Sequence, residues 1–262
     1  MRIVVLTKPV PDPASGQERL GPDLRVDRAA APAVINGNDE YALEAALKLT
    51  EAHGGEVVLL AMAPPAAAET LRKGLAMGAA RAVLITDPAL AGADAGTTAR
   101  VLAAALAGLE FDLVLAGADT SDGGMGVVPP MIAALTGLPY LSYAGRIEPD
   151  PAARTVRVHR LSPTGYDVLE APWPALIGCT QVLGAPRYPS LKGIMAARTR
   201  EVAVRGLAEI GLDPAAVAAG PTNRVLEARP PAPRGAARIV RGSPDEAADA
   251  IVAFLEERRI LS

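Results

Sequence analysis

The residues best suited to chemistry lie in one glycine-rich run, Gly117-Ala118-Asp119-Thr120-Ser121-Asp122-Gly123-Gly124-Met125-Gly126-Val127-Val128-Pro129-Pro130, directly after the apolar segment 113–116. Gly123, Gly124 and Gly126 permit positive φ and close approach of backbone to a ligand. A helix starting near Val127 and Val128 would offer N–H groups and a positive dipole end to an anion. That chemistry is phosphate binding, with the amides of residues 123–128 as donors and Ser121 or Asp122 fixing the loop. Pro129 and Pro130 suit the first helical positions but contribute no N–H. The run is neither a GxGxxG fingerprint nor a Walker loop, so a loop rich in glycine for geometry alone is the competing reading. Asp119 and Asp122 could flank a Mg²⁺ ion beside a phosphate, but two carboxylates without further ligands make a poor site, and no metal is expected.

A second run, residues 185–200 (APRYPSLKGIMAARTR), looks built for docking rather than catalysis. Pro186 and Pro189 force extended or turn backbone around Arg187-Tyr188. Ser190 can cap a helical turn whose apolar face holds Leu191, Ile194 and Met195 at i, i+3 and i+4, with Lys192, Arg198 and Arg200 supplying charge around it. The bland alternative lays that face on the core. No residue makes a convincing catalyst. His53 closes a helix where a cation suits the carbonyl end. His159 sits in a ribbon strand, facing solvent, and neither histidine has a nucleophile or metal-ligand companion. Cys179, the one cysteine, reads as a small hydrophobe, and Trp173 as a wedge between Pro172 and Pro174.

These runs need a scaffold, and the rest of the chain describes one. Short, uniformly apolar segments at 3–6, 57–62, 82–85 and 113–116 suit strands of a parallel sheet covered on both faces. Amphipathic helices fall between them at 39–53, 65–77, 97–109 and 128–135. In the first, Leu43, Ala46, Leu47 and Thr50 share a face, Asn38 caps the start and Gly54 the end. Such alternation predicts right-handed crossovers in an open, doubly wound, mainly parallel Rossmann-like α/β sheet. The loop at 117–130 then falls at the carboxyl ends of the strands, where such sheets bind ligands. Segments 146–150, 156–161 and 166–169 predict a small antiparallel ribbon, and 175–178 the last parallel strand. Residues 228–238, rich in Pro, Ala and Arg, predict an extended arm, followed by a terminal helix capped by Ser243 with Asp245 and Glu246 in its first turn. The expected division is a nucleotide-binding domain over residues 1–200 and an arm plus helix over 201–262 that wraps a partner subunit.

Bulk properties agree with an ordinary compact protein. The chain has 262 residues, half of them apolar, and a formal net charge of -3, which excludes a dominant nucleic-acid footprint. No apolar run approaches the ~18 residues of a membrane span, and the opening apolar segment is too short for a signal peptide. A cytoplasmic protein is expected.

The run 185–200 resembles the recognition loop of electron transfer flavoprotein (ETF) β subunits, P-R-Y-x-x-L-x-x-I-M-x-A-[KR], through Pro186, Arg187, Tyr188, Leu191, Ile194, Met195, Ala197 and Arg198. The glycine-rich run resembles that family's phosphate loop at Gly117, Asp122 and Gly123, departing at Asp119, Gly124, Val127 and Pro129. Residues 7–12 and 69–79 (ETLRKGLAMGA) are also family-like, so the resemblance extends to about Arg200. It implies a non-catalytic subunit of a heterodimer that binds AMP structurally, while the α subunit holds most of an FAD. Leu6, Asn36, Asn38, Asp39 and Met62 are implied as further parts of the nucleotide pocket. Arg187, Tyr188, Leu191, Ile194 and Met195 are implied for docking, with Leu191 the anchor and Tyr188, Ile194 and Met195 shaping the turn beneath it. The implied route takes electrons from acyl-CoA and related dehydrogenases to an ETF-quinone oxidoreductase. Two alternatives stay open: a bifurcating ETF with a second FAD in the AMP site, and a stand-alone adenine-nucleotide-binding or hydrolysing domain. Against the latter, the SGGxDS loop of pyrophosphatases is absent.

Overall fold

The structure is a computed structural model describing residues 1–220, 223, 225–229, 235 and 237–261. It falls into two compact units, Met1–Leu226 and Glu227–Ser262.

In the first unit, the apolar runs form strands β1 (Arg2–Leu6), then, after the short pair β2 (Pro9–Pro11) and β3 (Ala33–Ile35), β4 (Glu56–Met62), β5 (Arg81–Ile85) and β6 (Leu113–Gly117). Helices α1 (Gly37–His53), α2 (Ala67–Met77), α3 (Ala95–Ala107) and α4 (Val128–Thr136) alternate with them. Strands β7 (Tyr140–Asp150), β8 (Thr155–Ser162), β9 (Gly165–Pro172) and β10 (Ala175–Cys179) follow, then α5 (Leu191–Ala197), β11 (Val202–Arg205) and α6 (Pro214–Ala218). The main sheet has nine strands in the order β11-β5-β4-β1-β6-β10-β7-β8-β9. Pairing is parallel from β11 through to β7 and antiparallel between β7, β8 and β9. Apolar side chains fill both faces: α1 and α2 cover one with Leu43, Leu47, Leu71 and Leu75, and α3 and α4 the other with Val101, Leu102, Leu106 and Ile132. Uniformly apolar strand sequences are what such double coverage demands.

Several expectations need correction. The 175–178 strand is not the last parallel one: β10 sits between β6 and β7, and β11 adds the edge beside β5. Because β11, Leu207 and Val217 pack in the first unit, the break falls after Leu226 rather than Arg200. The ribbon is longer than expected, since β7 pairs with β10 before continuing against β8. Helix α1 starts earlier, with Asn36 rather than Asn38 at the N-cap: the Asn36 carbonyl accepts from the Asp39 and Glu40 amides, while its side chain makes no cap and is used elsewhere. His159 is half-buried, 3.4 Å from Glu148 and stacked on Tyr166, rather than solvent-facing.

In the second unit, α7 (Pro244–Glu257) starts with a full capping box between Ser243 and Glu246, its first turn carrying Asp245 as anticipated. Within the expected arm 228–238, residues 230–234 and 236 lie outside the described residues.

Candidate functional site

The chain leaves β1 and turns to β4 on one side, β5 beyond it, and later to β6 on the other side of β1. The carboxyl ends of β1 and β6 therefore flank the point where strand order reverses, the usual ligand crevice of such sheets. A side chain ties these ends together. Asp39, in the first turn of α1 and buried, accepts from the Lys8 amide just beyond β1 (2.7 Å) and from the Gly117 amide ending β6 (3.2 Å). Gly117 has no room for a side chain, since a Cβ there would lie 2.5 Å from Asp39 Oδ1. Burial pushes the Asp39 carboxyl up to about 7, with the Lys8 amide the chief opposing influence.

Asn36 holds the next part of the loop. Its Nδ2 donates to the Asp119 carbonyl (2.8 Å) and its Oδ1 accepts from the Ser121 amide (3.1 Å), while Asn38 Nδ2 donates to the Asp119 carboxylate. Asn36, Asn38, Asp39 and Ser121 thus come together, whereas the Ala118 amide donates to the Cys179 carbonyl of β10. Asp122 fixes the loop, its fully covered carboxylate taking Lys8 Nζ at 2.7 Å on one oxygen and Arg28 NH2 at 2.7 Å on the other. Burial works against its charge, but the two cations outweigh it and hold the group below the ordinary carboxylate range. With both oxygens engaged by cations, Asp122 is a poor metal ligand, and no cluster of three or more His, Cys, Asp or Glu suited to a metal occurs among the described residues.

The glycines behave unequally. Gly124 and Gly126 adopt φ of 59° and 62°, which β-carbon-bearing residues rarely tolerate, but Gly123 does not. The amides of Gly123 and Gly124 both donate to the Thr120 carbonyl (3.3 and 2.7 Å). They are thus occupied inside the loop, which narrows the proposed donors to residues 125–128. Since Pro129 and Pro130 follow, the first turn of α4 brings only the Val128 amide and that of its N-cap, Val127. Leu6 and Met62 lie apart from the polar group: Leu6 is buried in the α3/α4 core and Met62 packs at its margin, at the ends of β1 and β4. A cleft of roughly 520 Å³ opens beside the Asn36–Ser121 group. Its walls include Val10 and Pro13, together with Tyr41, Lys73 and Gln181, which sequence reasoning missed because they come from separate elements.

The turn at 185–200 is present and built differently from expectation. Ser190 caps α5, accepting from the Gly193 amide at 3.0 Å. Tyr188 and Leu191 are 96% and 78% exposed, and Ile194 and Met195 are also exposed, so none lies beneath the turn; only Ala197 is buried there. Arg187 faces inward. It forks onto Glu44 of α1 through its amide (3.1 Å), Nε (2.8 Å) and NH2 (3.2 Å), and onto Glu51 through NH1 (2.5 Å) and NH2 (3.0 Å). Arg200 is likewise withdrawn from the apolar face, donating to the Leu75 carbonyl (2.8 Å) and to the Ala79 carbonyl at the end of α2. Arg72 of α2 donates to the Ala197 carbonyl (3.0 Å), and Gly193 lies so close to α2 that a Cβ would stand 2.2 Å from the Ala76 oxygen. Four independent contacts therefore fix an apolar turn that stays in solvent.

Comparison with known proteins agrees with this geometry. The electron transfer flavoprotein domain family matches residues 23–210. The chain is 36% identical over 266 residues to the caffeyl-CoA reductase-Etf complex subunit CarD of Acetobacterium woodii, covering all of both proteins. It is 37% identical to the electron transfer flavoprotein subunit beta of Mycobacterium tuberculosis over 265 residues, 99% of each. It is 40% identical over 220 residues to protein FixA of Azorhizobium caulinodans, covering 81% of this chain and 78% of that protein. No helix among the described residues is long and apolar enough to cross a membrane. The family match over residues 23–210 and these relatives make this chain a member of the electron transfer flavoprotein family, of the β-subunit type.

Proposed function

We propose that this chain is the β subunit of a cytoplasmic, heterodimeric electron shuttle and performs no catalysis of its own. The observation that carries this reading is the turn after Ser190: its apolar residues face solvent although Arg187, Arg200, Arg72 and Gly193 hold it rigidly. A shuttle needs brief, repeatable docking, and an exposed apolar anchor on a fixed support supplies contact area without ordering cost. Leu191 is the anchor for acyl-CoA and related dehydrogenases, and electrons pass on to an ETF-quinone oxidoreductase, as in fatty acid oxidation.

FAD, held chiefly by an α subunit, carries the electrons when bound. The cleft lined by Val10, Pro13, Asn36, Asn38 and Tyr41 is the part of this chain that would shelter it. AMP is bound structurally by the loop 117–128. The donor set fits a phosphate: two cations meet a single carboxylate under the loop, and Gly124 and Gly126 bring backbone to its surface. Leu6, Met62 and Asp39 position that loop and its flanking strands. The second unit, with Ile251, Val252 and Phe254 exposed on α7, wraps the α subunit.

Similarity to a subunit of a caffeyl-CoA reductase-Etf complex favours one second reading, FAD in place of AMP in this site. The test is to co-express the chain with a neighbouring α-type chain, purify the complex, denature it and identify the released nucleotides by chromatography and absorbance. One FAD with one AMP is expected, whereas two FAD per complex supports the second reading. A colourless, monomeric chain that hydrolyses a nucleotide unaided would refute both.

A further inference from the structure

Arg28 belongs to the long connection between β2 and β3, and its guanidinium crosses to the glycine-rich loop, 94 residues away, to reach Asp122. Asp122 already has a counter-ion in Lys8, whose Nζ also donates to Thr120 Oγ1 at 3.4 Å. Asp122 therefore meets two cations, one more than its own charge requires, while the Asp119 carboxylate of the same loop is met by the Asn38 amide. Lys8 is the larger of the two influences that keep Asp122 ionised and Arg28 the smaller; a half-exposed ion pair adds little to stability on its own. Among the described residues Arg28 spends only NH2, on Asp122, and a guanidinium has five N–H donors in a planar fork suited to phosphate oxygens. Lys8 Nζ lies 3.8 Å from where a Gly123 Cβ would stand, and Arg28 NH2 lies 2.7 Å from the Asp122 carboxylate of the same loop. The supply of amides is thin, because Gly123 and Gly124 turn inward and prolines follow Val128.

We propose that Arg28 is a phosphate-recognising residue of this site, supplying charge that the shortened amide set lacks, and that it selects a nucleotide bearing a phosphomonoester over an uncharged nucleoside. Asp122 holds the guanidinium at the loop and Lys8 neutralises Asp122. This inference rests on the nucleotide reading of the loop. A monoester carries close to two negative charges at neutral pH, so the surplus cation acts on the phosphate and leaves the base and ribose untouched.

The full-length chain, freed of retained nucleotide on charcoal, is titrated calorimetrically with AMP and with adenosine, as wild type, Arg28→Gln and Arg28→Lys. Arg28→Gln is expected to weaken AMP binding about tenfold, the scale of one hydrogen bond to a charged group, while adenosine affinity stays within twofold. Arg28→Lys should recover part of the loss, and added salt should shrink the wild-type advantage. Equal weakening of AMP and adenosine, or no weakening of either, would overturn the role of Arg28 while leaving the nucleotide reading intact. A wild-type chain that binds neither ligand would instead remove the nucleotide reading, and this inference with it.

Discussion

Arg187 was expected to touch a partner, and its geometry gives it a different task that a single substitution can test. Glu44 lies on α1 with its side chain 5% exposed, and Arg187 covers it with three hydrogen bonds while gripping Glu51 with two more. Burial opposes the Glu44 charge, and the Arg187 guanidinium and amide reverse that effect, leaving the carboxyl below its ordinary range. Arg187→Ala would leave the carboxylate only the backbone amide of residue 187 and Lys48, at 3.6 Å, for compensation. Breaking a fully buried pair costs about 3–5 kcal/mol, and an exposed pair under about 1 kcal/mol. With the guanidinium a third exposed, roughly 2–3 kcal/mol is expected. For a unit of this size that lowers the thermal midpoint by roughly 5–10 °C. The pH dependence carries a sign. In the wild type the lowered Glu44 value gives stability that is present above about 4.5 and lost as pH falls below it. In Arg187→Ala the guanidinium no longer offsets burial, so the value rises relative to the wild type, and the penalty is fullest at neutral pH and fades on acidification. Urea unfolding followed by the single tryptophan, Trp173, which packs on the same core as α1, reads both effects. The gap between wild type and variant should close as pH falls from 7 toward 4, and Arg187→Met/Glu44→Gln should recover most of the loss. A gap below about 0.5 kcal/mol, the ordinary scatter of surface substitutions, or one constant with pH, would refute the clamp.

Other outcomes follow from the same geometry. Leu191→Ala, at an exposed position, should change stability by under about 0.5 kcal/mol and leave flavin content normal while slowing reduction by the dehydrogenase; unchanged coupling kinetics would remove Leu191 as the anchor. Gly193→Ala forces a methyl to within 2.2 Å of the Ala76 carbonyl, so α5 must lift from α2; stopped-flow reduction should slow with nucleotide content intact, and normal rates would argue that the support is dispensable. Asp39, raised from 3.8 to about 7, contributes stability that is complete below 3.8 and lost as pH climbs through about 7. The swing is on the order of 4 kcal/mol; Asp39→Asn should flatten unfolding free energy between pH 5 and 8, and an unchanged slope would place the titration elsewhere.

The parts of this fold that were legible in sequence are those where local chemistry and final environment agree. Strands β1, β4, β5 and β6 are buried on both faces, so their apolar runs are continuous and unmistakable. β11 was missed because it is an edge strand of four residues with only partial burial, and VAVR carries no such run. The first half of β7 was missed because Ser142, Tyr143 and Gly145 interrupt any period, with Tyr143 at a φ of 50° where pairing shifts from β10 to β8. In the site, the glycines and Asp122 were visible because loop chemistry is local. Lys8 and Arg28 were not: they reach Asp122 across 114 and 94 residues, and no sequence spacing encodes that meeting. Likewise the pattern around Tyr188 located the docking turn but could not say that Arg187 points inward.

Those long-range contacts converge on one element. Helix α1 buries two carboxylates, Asp39 and Glu44, which is costly unless each is satisfied. Asp39 takes amides from the ends of β1 and β6 and so sets the glycine-rich loop, whereas Glu44, with Glu51 two turns further on, takes Arg187 and so sets the exposed apolar turn. The two carboxylates are five residues apart on a rigid helix, a rise of roughly 7–8 Å, so loop and turn keep a fixed separation. If the loop lies at the cofactor and the turn is the anchor, as proposed above, a carrier that meets several partners presents its anchor at a constant distance from its cofactor, whichever partner arrives. Placing both supports on one helix accounts for acidic residues where the periodic pattern of α1 calls for apolar ones.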